Sequence, residues 1–154
     1  MRIMLLEDRP ESLLSDLADV WEQSVRATHT FLTGDDIRFF SPLVRQALQE
    51  IPVLYVAKSI QGKVSGFLGI GGQVIEMLFL HPLCTGAGLG RRLVTLALEK
   101  HHVRFVDVNE QNIQAAGFYR HLGFLPIGRS PLDPSGKPFP IVHLEKQDFI
   151  RQEA

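Results

Sequence analysis

The sequence Thr85-Gly86-Ala87-Gly88-Leu89-Gly90-Arg91 has a glycine at every second position. It follows the apolar, β-rich residues 74–80 and precedes a segment whose apolar residues recur at helical spacing. Residues without side chains allow successive backbone N–H groups to point at one anion, and a helix that begins there adds the positive end of its dipole. The stretch therefore predicts a phosphate-binding turn between a strand and a helix.

Two common phosphate-binding loops do not match this stretch. A Walker loop ends in Gly-Lys-Ser or Gly-Lys-Thr, whereas Gly90 is followed by Arg91 and Arg92. A dinucleotide fingerprint follows the first strand of a βαβ unit and has a small residue where this chain has Arg91. The stretch therefore belongs to neither class.

The rest of the chain changes between β-rich and helical periodicity. Strands are predicted at residues 2–6, 53–57, 64–70, 74–80, 103–108, 124–128 and 141–145. Helices are predicted after Pro10, after residues 33–36, after the glycine turn and before Gly123, with Pro42 in a first turn or at a break. The middle strands follow one another as antiparallel neighbours, and the later strand-helix-strand succession suggests a parallel crossover. We expect an α/β (α+β) fold with a mixed, mainly antiparallel sheet of about six to seven strands.

Composition limits the kinds of partner. The 154 residues carry a formal net charge of −1 and are 45% hydrophobic, which predicts one domain, residues 1–154. Acidic and basic residues are interspersed, so the chain lacks the basic stripe that nucleic acid or an anionic membrane requires. No apolar run is long enough to cross a bilayer, and the first residues turn acidic where a signal peptide stays apolar. These features predict a cytoplasmic protein with a small-molecule partner.

Two ordered motifs resemble those of a known family. Residues 85–90 are similar to motif A of the GNAT acetyltransferase superfamily, Arg/Gln-x-x-Gly-x-Gly/Ala, with Thr85 at the Arg/Gln place. Residues 112–124 resemble its motif B, N-x-x-A-x-x-F-Y-x-x-x-G-F. The pattern from Trp21 to Phe31, taken with residues 108–112, is similar to a bacterial subgroup whose substrate is poorly defined.

The resemblance implies a GNAT-like sheet with a central parallel pair at a cofactor cleft, and acetyl-CoA as co-substrate. It also implies transfer of the acetyl group to an amine by direct attack in a ternary complex. The main chain of Leu78 and Leu80 would pair with the pantetheine arm, and Asn112 would contact the cofactor or its neighbouring backbone. The cofactor-binding residues expected are Leu78, Leu80, Thr85, Gly86, Ala87, Gly88, Leu89, Gly90, Arg91, Asn112 and Phe118.

The resemblance also assigns catalytic candidates. Tyr119 matches the family tyrosine that protonates the sulfur of coenzyme A, since a phenol with an ordinary pKa of about 10 can donate to a thiolate. Glu76 lies two residues before Leu78, on the same face of a regular strand, and resembles the glutamate that accepts the amine proton in some members. His29 and water are alternatives for this base, and Asn109 is expected to cap the helix that contains Tyr119. The acceptor wall is expected at Trp21, Arg26, His29 and Phe31.

The remaining choices stay open on the sequence. The histidines have no metal-ligand spacing, so no metal is expected. The acceptor is either a small-molecule amine or a peptide amine, and the protein is either a monomer or a homodimer. A second hypothesis keeps the glycine turn in a non-catalytic acyl-CoA-binding sensor or regulatory module. An enzyme needs Tyr119 and an acceptor pocket, whereas a binding module needs neither.

Overall fold

The computed structural model describes residues 1–147, and the predicted domain 1–154 extends beyond this range. The described strands are β1 (Arg2–Leu5), β2 (Val53–Lys58), β3 (Val64–Gly71), β4 (Val74–Leu80), β5 (Phe105–Asn109), β6 (Phe124–Ser130) and β7 (Ile141–Lys146). The described α-helices are α1 (Glu11–Thr28), α2 (Gly34–Glu50), α3 (Leu89–His101) and α4 (Ile113–His121). A short 3-10 turn spans Pro82–Cys84.

The described strands form one sheet in the order β1-β2-β3-β4-β5-β7-β6. Every neighbouring pair is antiparallel except β4 and β5, which run parallel, so the predicted sheet with a central parallel pair is confirmed. The parallel pairing joins only Val74 to Phe105 and Ile75 to Val106. Beyond these residues β4 and β5 separate. The middle of the sheet is therefore open along the second half of β4.

Helices cover both faces of the sheet. α1 and α2 lie on one face, here called the α1–α2 face, around a core that includes Leu17, Leu48 and Phe67. α3 and α4 lie on the opposite face, the α3–α4 face, around Leu93 and Phe124. One apolar stripe of each helix is buried in this way. Among residues 1–147, no helix combines the length and the apolar character needed to span a membrane.

A β-bulge in β4 decides which side chains reach each face. Ile70 pairs with Ile75 whereas its neighbour Gly69 pairs with Met77, so Glu76 is an extra residue in the strand. Ile75 therefore packs on the α3–α4 face and Met77 on the α1–α2 face, although alternate residues of a regular strand share one face. A bulge also bends a strand, and this one adjoins the opening between β4 and β5.

α2 continues through Pro42, so the prediction of a first turn or a break there is wrong. The helix begins earlier because Thr33 and Asp36 form a capping box, in which each side chain accepts a hydrogen bond from the backbone N–H of the other. Pro42 removes the helical bond to the carbonyl of Arg38. Both residues are exposed, so Pro42 lies on the water-facing side of the helix.

β5 begins at Phe105, later than the predicted start at residue 103. The left-handed backbone of His102, with φ of 51°, ends α3. The N–H of Val103 then donates to the carbonyl of Ala97, 3.3 Å away. Val103 therefore belongs to the end of the helix, and its apolar character reflects burial rather than strand pairing.

Gly66 of β3 lies too close to β4 for a side chain. A Cβ at this position would lie 2.6 Å from Leu80 Cδ2 and 2.9 Å from the Phe79 carbonyl oxygen. Because that carbonyl belongs to the sheet and cannot rotate away, we expect Gly66→Ala to lower the free energy of unfolding by about 1–3 kcal/mol. A urea titration followed by circular dichroism measures this change.

Gly117→Ala is the matched control for this substitution. Gly117 lies inside α4, and a Cβ placed there has no atom within 4 Å. This variant should gain about 0.5–1 kcal/mol at most, since alanine favours helix over glycine. Equal unfolding free energies for the two variants would contradict the close approach of β3 and β4.

Candidate active site

The opening between β4 and β5 leads into two adjoining cavities. The larger, here called the cleft, has a volume of about 710 Å³, which is in the range of small-molecule sites. The smaller, here called the recess, has a volume of about 90 Å³ and lies between β4 and β5. Both are lined by His29, Phe79, Asn112, Ala115 and Tyr119. These shared residues mark the place where the two cavities meet.

The glycine turn forms one end of the cleft. Gly86 and Gly88 have φ of 78° and 86°, in the left-handed region, and a Cβ at either would meet no atom within 4 Å. Gly88 precedes the first turn of α3, and no side chain caps that helix. The first N–H groups of α3 are therefore available to an anion, as the predicted phosphate turn requires. Thr85 Oγ1 donates to the carbonyl of Pro82 at 3.0 Å, so this hydroxyl closes the preceding 3-10 turn.

The other motif residues of this turn differ in the exposure of their side chains. Arg91 is exposed in the first turn of α3 and lines the cleft, where a cation opposes the helix dipole unless an anion is bound. Ala87 is exposed in the same turn, whereas the side chain of Leu89 is buried in the core. The turn thus offers backbone N–H groups and one guanidinium.

Gly90 joins the glycine turn to α4. A Cβ on Gly90 would lie 3.2 Å from Phe118 Cζ, so the glycine lets α3 and α4 approach closely. The ring of Phe118 in turn meets Tyr119 edge to face, with centroids 5.1 Å apart. The two sequence motifs are therefore in physical contact, and Phe118 connects the turn to Tyr119.

The second half of β4 borders the opening. The side chains of Leu78 and Leu80 pack on the α3–α4 face. The pairing of β4 with β5 ends at Ile75, so the main chain of these leucines faces the opening instead of a strand. This arrangement suits the predicted pairing with an extended pantetheine arm.

Tyr119 is the buried acid candidate of the site. Its side chain is 5% exposed, and its ring packs between Phe118 and Phe124. Within residues 1–147 its hydroxyl has no hydrogen-bond partner. Burial raises the pKa of this phenol above its ordinary value, because the phenolate would lose its hydration. Tyr119 therefore stays protonated at neutral pH, with its O–H free for another molecule.

His29 follows the last residue of α1 and is held by hydrogen bonds at its Nδ1. Thr28 Oγ1 donates its hydrogen to the carbonyl of Ser24 at 2.8 Å, and it lies 2.8 Å from His29 Nδ1. Because a hydroxyl has one hydrogen, the ring nitrogen must be the donor in the second bond. The proton is thereby assigned to Nδ1, and Nε2 carries the lone pair. Burial lowers the pKa of His29, so the ring is neutral at pH 7.

Glu76, the other base candidate, lines the recess at the bulge. A Cβ on Gly71 would lie 2.9 Å from the carboxyl carbon of Glu76, so this carboxylate rests against Gly71. Gly71 pairs with Val74, at the closed end of the β4–β5 pair. Glu76 and Leu78 are predicted to share a face because side chains alternate along a regular strand. The bulge at Glu76 interrupts this alternation. His29 is therefore placed more favourably than Glu76 for a base beside Tyr119.

The four predicted acceptor residues do not form one wall. His29 lines both cavities. Trp21 is only 5% exposed and packs in the core of the α1–α2 face, and Arg26 pairs with Glu22 at 3.1 Å on the surface. Phe31 packs between His29 and Phe139, with ring centroids 5.4 Å and 5.7 Å away.

Sequence reasoning missed residues of α1 that face the cleft. Ser24, Ala27 and Thr28 line it beside His29. Ser24 and Thr28 are one helical turn apart, so their spacing in the sequence indicates that they share one face of α1. Phe139, which precedes β7, could not be connected with Phe31 without the tertiary structure.

Of the two asparagines near α4, Asn112 and not Asn109 caps the helix. Asn112 Oδ1 accepts a hydrogen bond from the N–H of Ala115 at 3.2 Å and is the cap of α4. Asn109 Oδ1 accepts from the N–H of Gln111 at 2.9 Å, in the turn before the helix. The prediction that Asn109 is the cap is wrong because α4 begins at Ile113. Asn112 also lines both cavities, as its predicted contact with the cofactor requires.

Comparisons with known proteins identify acetyltransferases as relatives of this chain. The family described as an acetyltransferase (GNAT) domain matches residues 50–126, about half of the chain. Peptidyl-lysine N-acetyltransferase YjaB of Escherichia coli strain K12 is 42% identical over 129 residues, which cover 84% of this chain and 87% of that protein. Peptidyl-lysine N-acetyltransferase YiaC of the same strain is 26% identical over 121 residues, 78% of this chain and 82% of that protein.

Solved structures share the architecture. The solution structure of apo-form YjaB from Escherichia coli has a TM-score of 0.83 and 39% identity, covering 94% of this chain and 97% of that one. PaiA N-acetyltransferase from Thermoplasma acidophilum, in complex with coenzyme A, has a TM-score of 0.68 at 20% identity, covering 96% of this chain and 100% of that one. The second likeness supports the fold alone.

The chain therefore belongs to the GNAT acetyltransferase family. It is an acetyl-CoA-dependent N-acetyltransferase, and the predictions of family, fold and enzyme class are confirmed. This result favours the enzyme over the non-catalytic binding module. Within residues 1–147, no group of three or more His, Cys, Asp or Glu side chains is arranged to hold a metal ion.

The position of Arg91 predicts a contribution to cofactor affinity. We expect Arg91→Ala to raise the Kd for coenzyme A about tenfold, because a charge-assisted hydrogen bond contributes about 1.5–3 kcal/mol. Pantetheine, which has no phosphate, should bind the variant and the parent equally. Isothermal titration with both ligands measures the two affinities.

Arg2→Ala is the charge-matched control, since Arg2 is exposed in β1 at the far edge of the sheet. Its affinity for coenzyme A should equal that of the parent. Equal weakening of coenzyme A and pantetheine by Arg91→Ala would show that Arg91 acts through packing and not through phosphate.

Proposed function

We propose that this enzyme acetylates the ε-amine of lysine residues in peptides or proteins, with Tyr119 as general acid and His29 as general base. The meeting point of the two cavities carries the proposal, because it brings together a free phenol and an imidazole with an unprotonated Nε2. The peptide acceptor is supported by the relatives, whose names describe peptidyl-lysine acetylation.

Each group has one task in the reaction. Acetyl-CoA supplies a thioester whose carbonyl carbon accepts an amine nitrogen. His29 Nε2 takes a proton from the acceptor ammonium, which frees the lone pair for attack. The new C–N bond forms as the C–S bond breaks, and the Tyr119 hydroxyl gives its proton to the departing thiolate. The ammonium loses two protons in total, of which one restores Tyr119 and the other leaves through His29.

The roles of the two groups depend on their different environments. Tyr119 lies among the rings of the α3–α4 core, which oppose its ionisation until a stronger base is in contact with it. His29 is half-buried, and its protonation is opposed by the same loss of hydration. Burial thus keeps the acid protonated and the base unprotonated over the same range of pH.

Tyr119→Phe tests the general acid. The variant keeps the buried ring and removes only the hydroxyl, so we expect kcat to fall about 100- to 1,000-fold. The affinity for coenzyme A should change little. Release of thiol from acetyl-CoA, with a lysine peptide as acceptor, measures the turnover.

Tyr55→Phe is the matched control, because Tyr55 is the other tyrosine of the chain and its hydroxyl lies 2.7 Å from His101 Nε2. Loss of that bond should cost about 1 kcal/mol of stability and leave kcat unchanged. Turnover by Tyr119→Phe at the rate of the parent would remove Tyr119 from the mechanism.

Protonation of His29 should lower the activity at low pH, which gives the pH profile an acid limb. A base whose pKa lies below its ordinary value loses activity only as the pH falls through that lowered pKa. We therefore expect kcat/KM to decline below about pH 6.5, the ordinary imidazole value. His29→Gln should lower kcat about 100-fold and abolish this limb. Thiol release measured from pH 5 to pH 9 gives the profile.

His102→Asn is the control for the loss of an imidazole, because asparagine tolerates the left-handed backbone of position 102. It should keep the acid limb. An acid limb that persists in His29→Gln would exclude His29 and leave Glu76 or water as the base.

A further inference from the structure

A row of three polar side chains crosses the sheet beside the recess. His143 of β7 lies next to Asp107 of β5 in the strand register, with Nδ1 2.6 Å from Asp107 Oδ1. Ser130 of β6 lies with its Oγ 2.7 Å from His143 Nε2. The row thus connects three neighbouring strands that are distant in sequence. None of the three residues belongs to the two family motifs.

The row lies on the α1–α2 face. Val106 and Val108 pack in the core of the α3–α4 face, so the alternation of β5 turns Asp107 to the opposite side. His29, which ends α1, belongs to that same side. Asp107 also lines the recess together with His29 and Tyr119.

The hydrogen bonds of the row fix the Asp107 carboxylate. A carboxylate only accepts, so His143 Nδ1 donates to Oδ1, and the Ser130 hydroxyl holds the ring at its other nitrogen, Nε2. The second oxygen, Oδ2, has no partner among residues 1–147. One oxygen of the carboxylate is therefore held in place, and the other is open to a further donor.

Neighbouring charges on these strands are already paired. Arg104 bonds Glu145 at 2.7 Å, and Arg129 bonds Glu110. The charged side chains that line the recess are both acidic, Glu76 and Asp107, whereas Arg91 of the glycine turn is the charged side chain that lines the cleft. The two cavities thus have opposite electrostatic character.

The row resembles a nucleophilic Ser-His-Asp arrangement in its hydrogen bonds, but Ser130 is not among the residues that line the cleft or the recess. An acyl group in the cleft is therefore not presented to its hydroxyl. Asp107 is the member that reaches the recess, so the row acts through its carboxylate.

We propose that Asp107 binds the ammonium of the acceptor through Oδ2, and that His143 and Ser130 are positioning residues for this carboxylate. The inference rests on the proposed transfer to a lysine-type amine. An alkylammonium has a pKa of about 10.4, so the acceptor arrives charged at neutral pH. A carboxylate at the wall of the recess holds that nitrogen where His29 can take its proton. The site therefore selects cationic primary amines over neutral ones.

A pair of acceptors that are equal in length and differ in charge tests the proposal. One peptide carries lysine and the other carries its aminooxy analogue, which has the same length and a nucleophilic amine that is neutral at pH 7. We expect Asp107→Asn to lower kcat/KM for the lysine peptide about 10- to 100-fold, mainly through KM. The aminooxy peptide should be acetylated at nearly the parent rate, and the affinity for coenzyme A should stay the same.

Asp16→Asn is the matched control, since Asp16 is exposed on α1 and lines neither cavity. It should leave both acceptors unaffected. An equal loss of both acceptors in Asp107→Asn would overturn the proposal in favour of a structural role. Unchanged use of lysine would overturn it as well.

The positioning residues have a separate test. His143→Leu removes the donor to Asp107 and should reproduce part of the loss with the lysine peptide alone. His143→Gln, which keeps an N–H donor, should recover part of that loss. Ser130→Ala should have a smaller effect of the same kind, and Ser130→Thr should restore the parent value. A loss that affects both acceptors equally would mark these residues as structural.

A binding experiment separates failure of the proposed function from failure of the ammonium site. If the parent acetylates neither acceptor, titration of the lysine peptide into the coenzyme A complex still measures recognition. Weaker binding to Asp107→Asn than to the parent would then support the ammonium site alone. Equal binding would overturn it.

Discussion

The site depends on how briefly β4 and β5 pair. Two residue pairs join these parallel strands, and beyond them β4 no longer pairs with β5. A sheet interrupted in its middle exposes main-chain donors and acceptors that need partners. An extended ligand can supply them. The opening is therefore both the structural irregularity of the fold and the candidate binding site.

The proposed chemistry comes from elements that converge on this opening from opposite faces. α4 brings Tyr119 from the α3–α4 face, and the end of α1 brings His29 from the α1–α2 face. Each group has its protonation state set by burial, and His29 has its tautomer set by Thr28 and Ser24. Positive charge at the glycine turn and negative charge in the recess distinguish the proposed cofactor end from the proposed acceptor end.

Local sequence was sufficient for features that depend on neighbouring residues. The glycine turn, the amphipathic helices and the positions of the strands along the chain follow from spacing and from residue type, and the motif around Tyr119 located the acid candidate. The choice between Asn109 and Asn112 as helix cap was not decidable in this way, because both have the same side chain and only the start of α4 separates them. The bulge at Glu76 depends on register with β3. The contact of Asp107, His143 and Ser130 depends on a strand order that no local pattern contains.

The contact between Gly90 and Phe118 links the two sequence motifs through side-chain packing. Position 90 belongs to the phosphate turn, yet a side chain there would press on Phe118 and through it on Tyr119. A substitution at Gly90 would therefore disturb the backbone of the turn and the packing of Tyr119 at the same time.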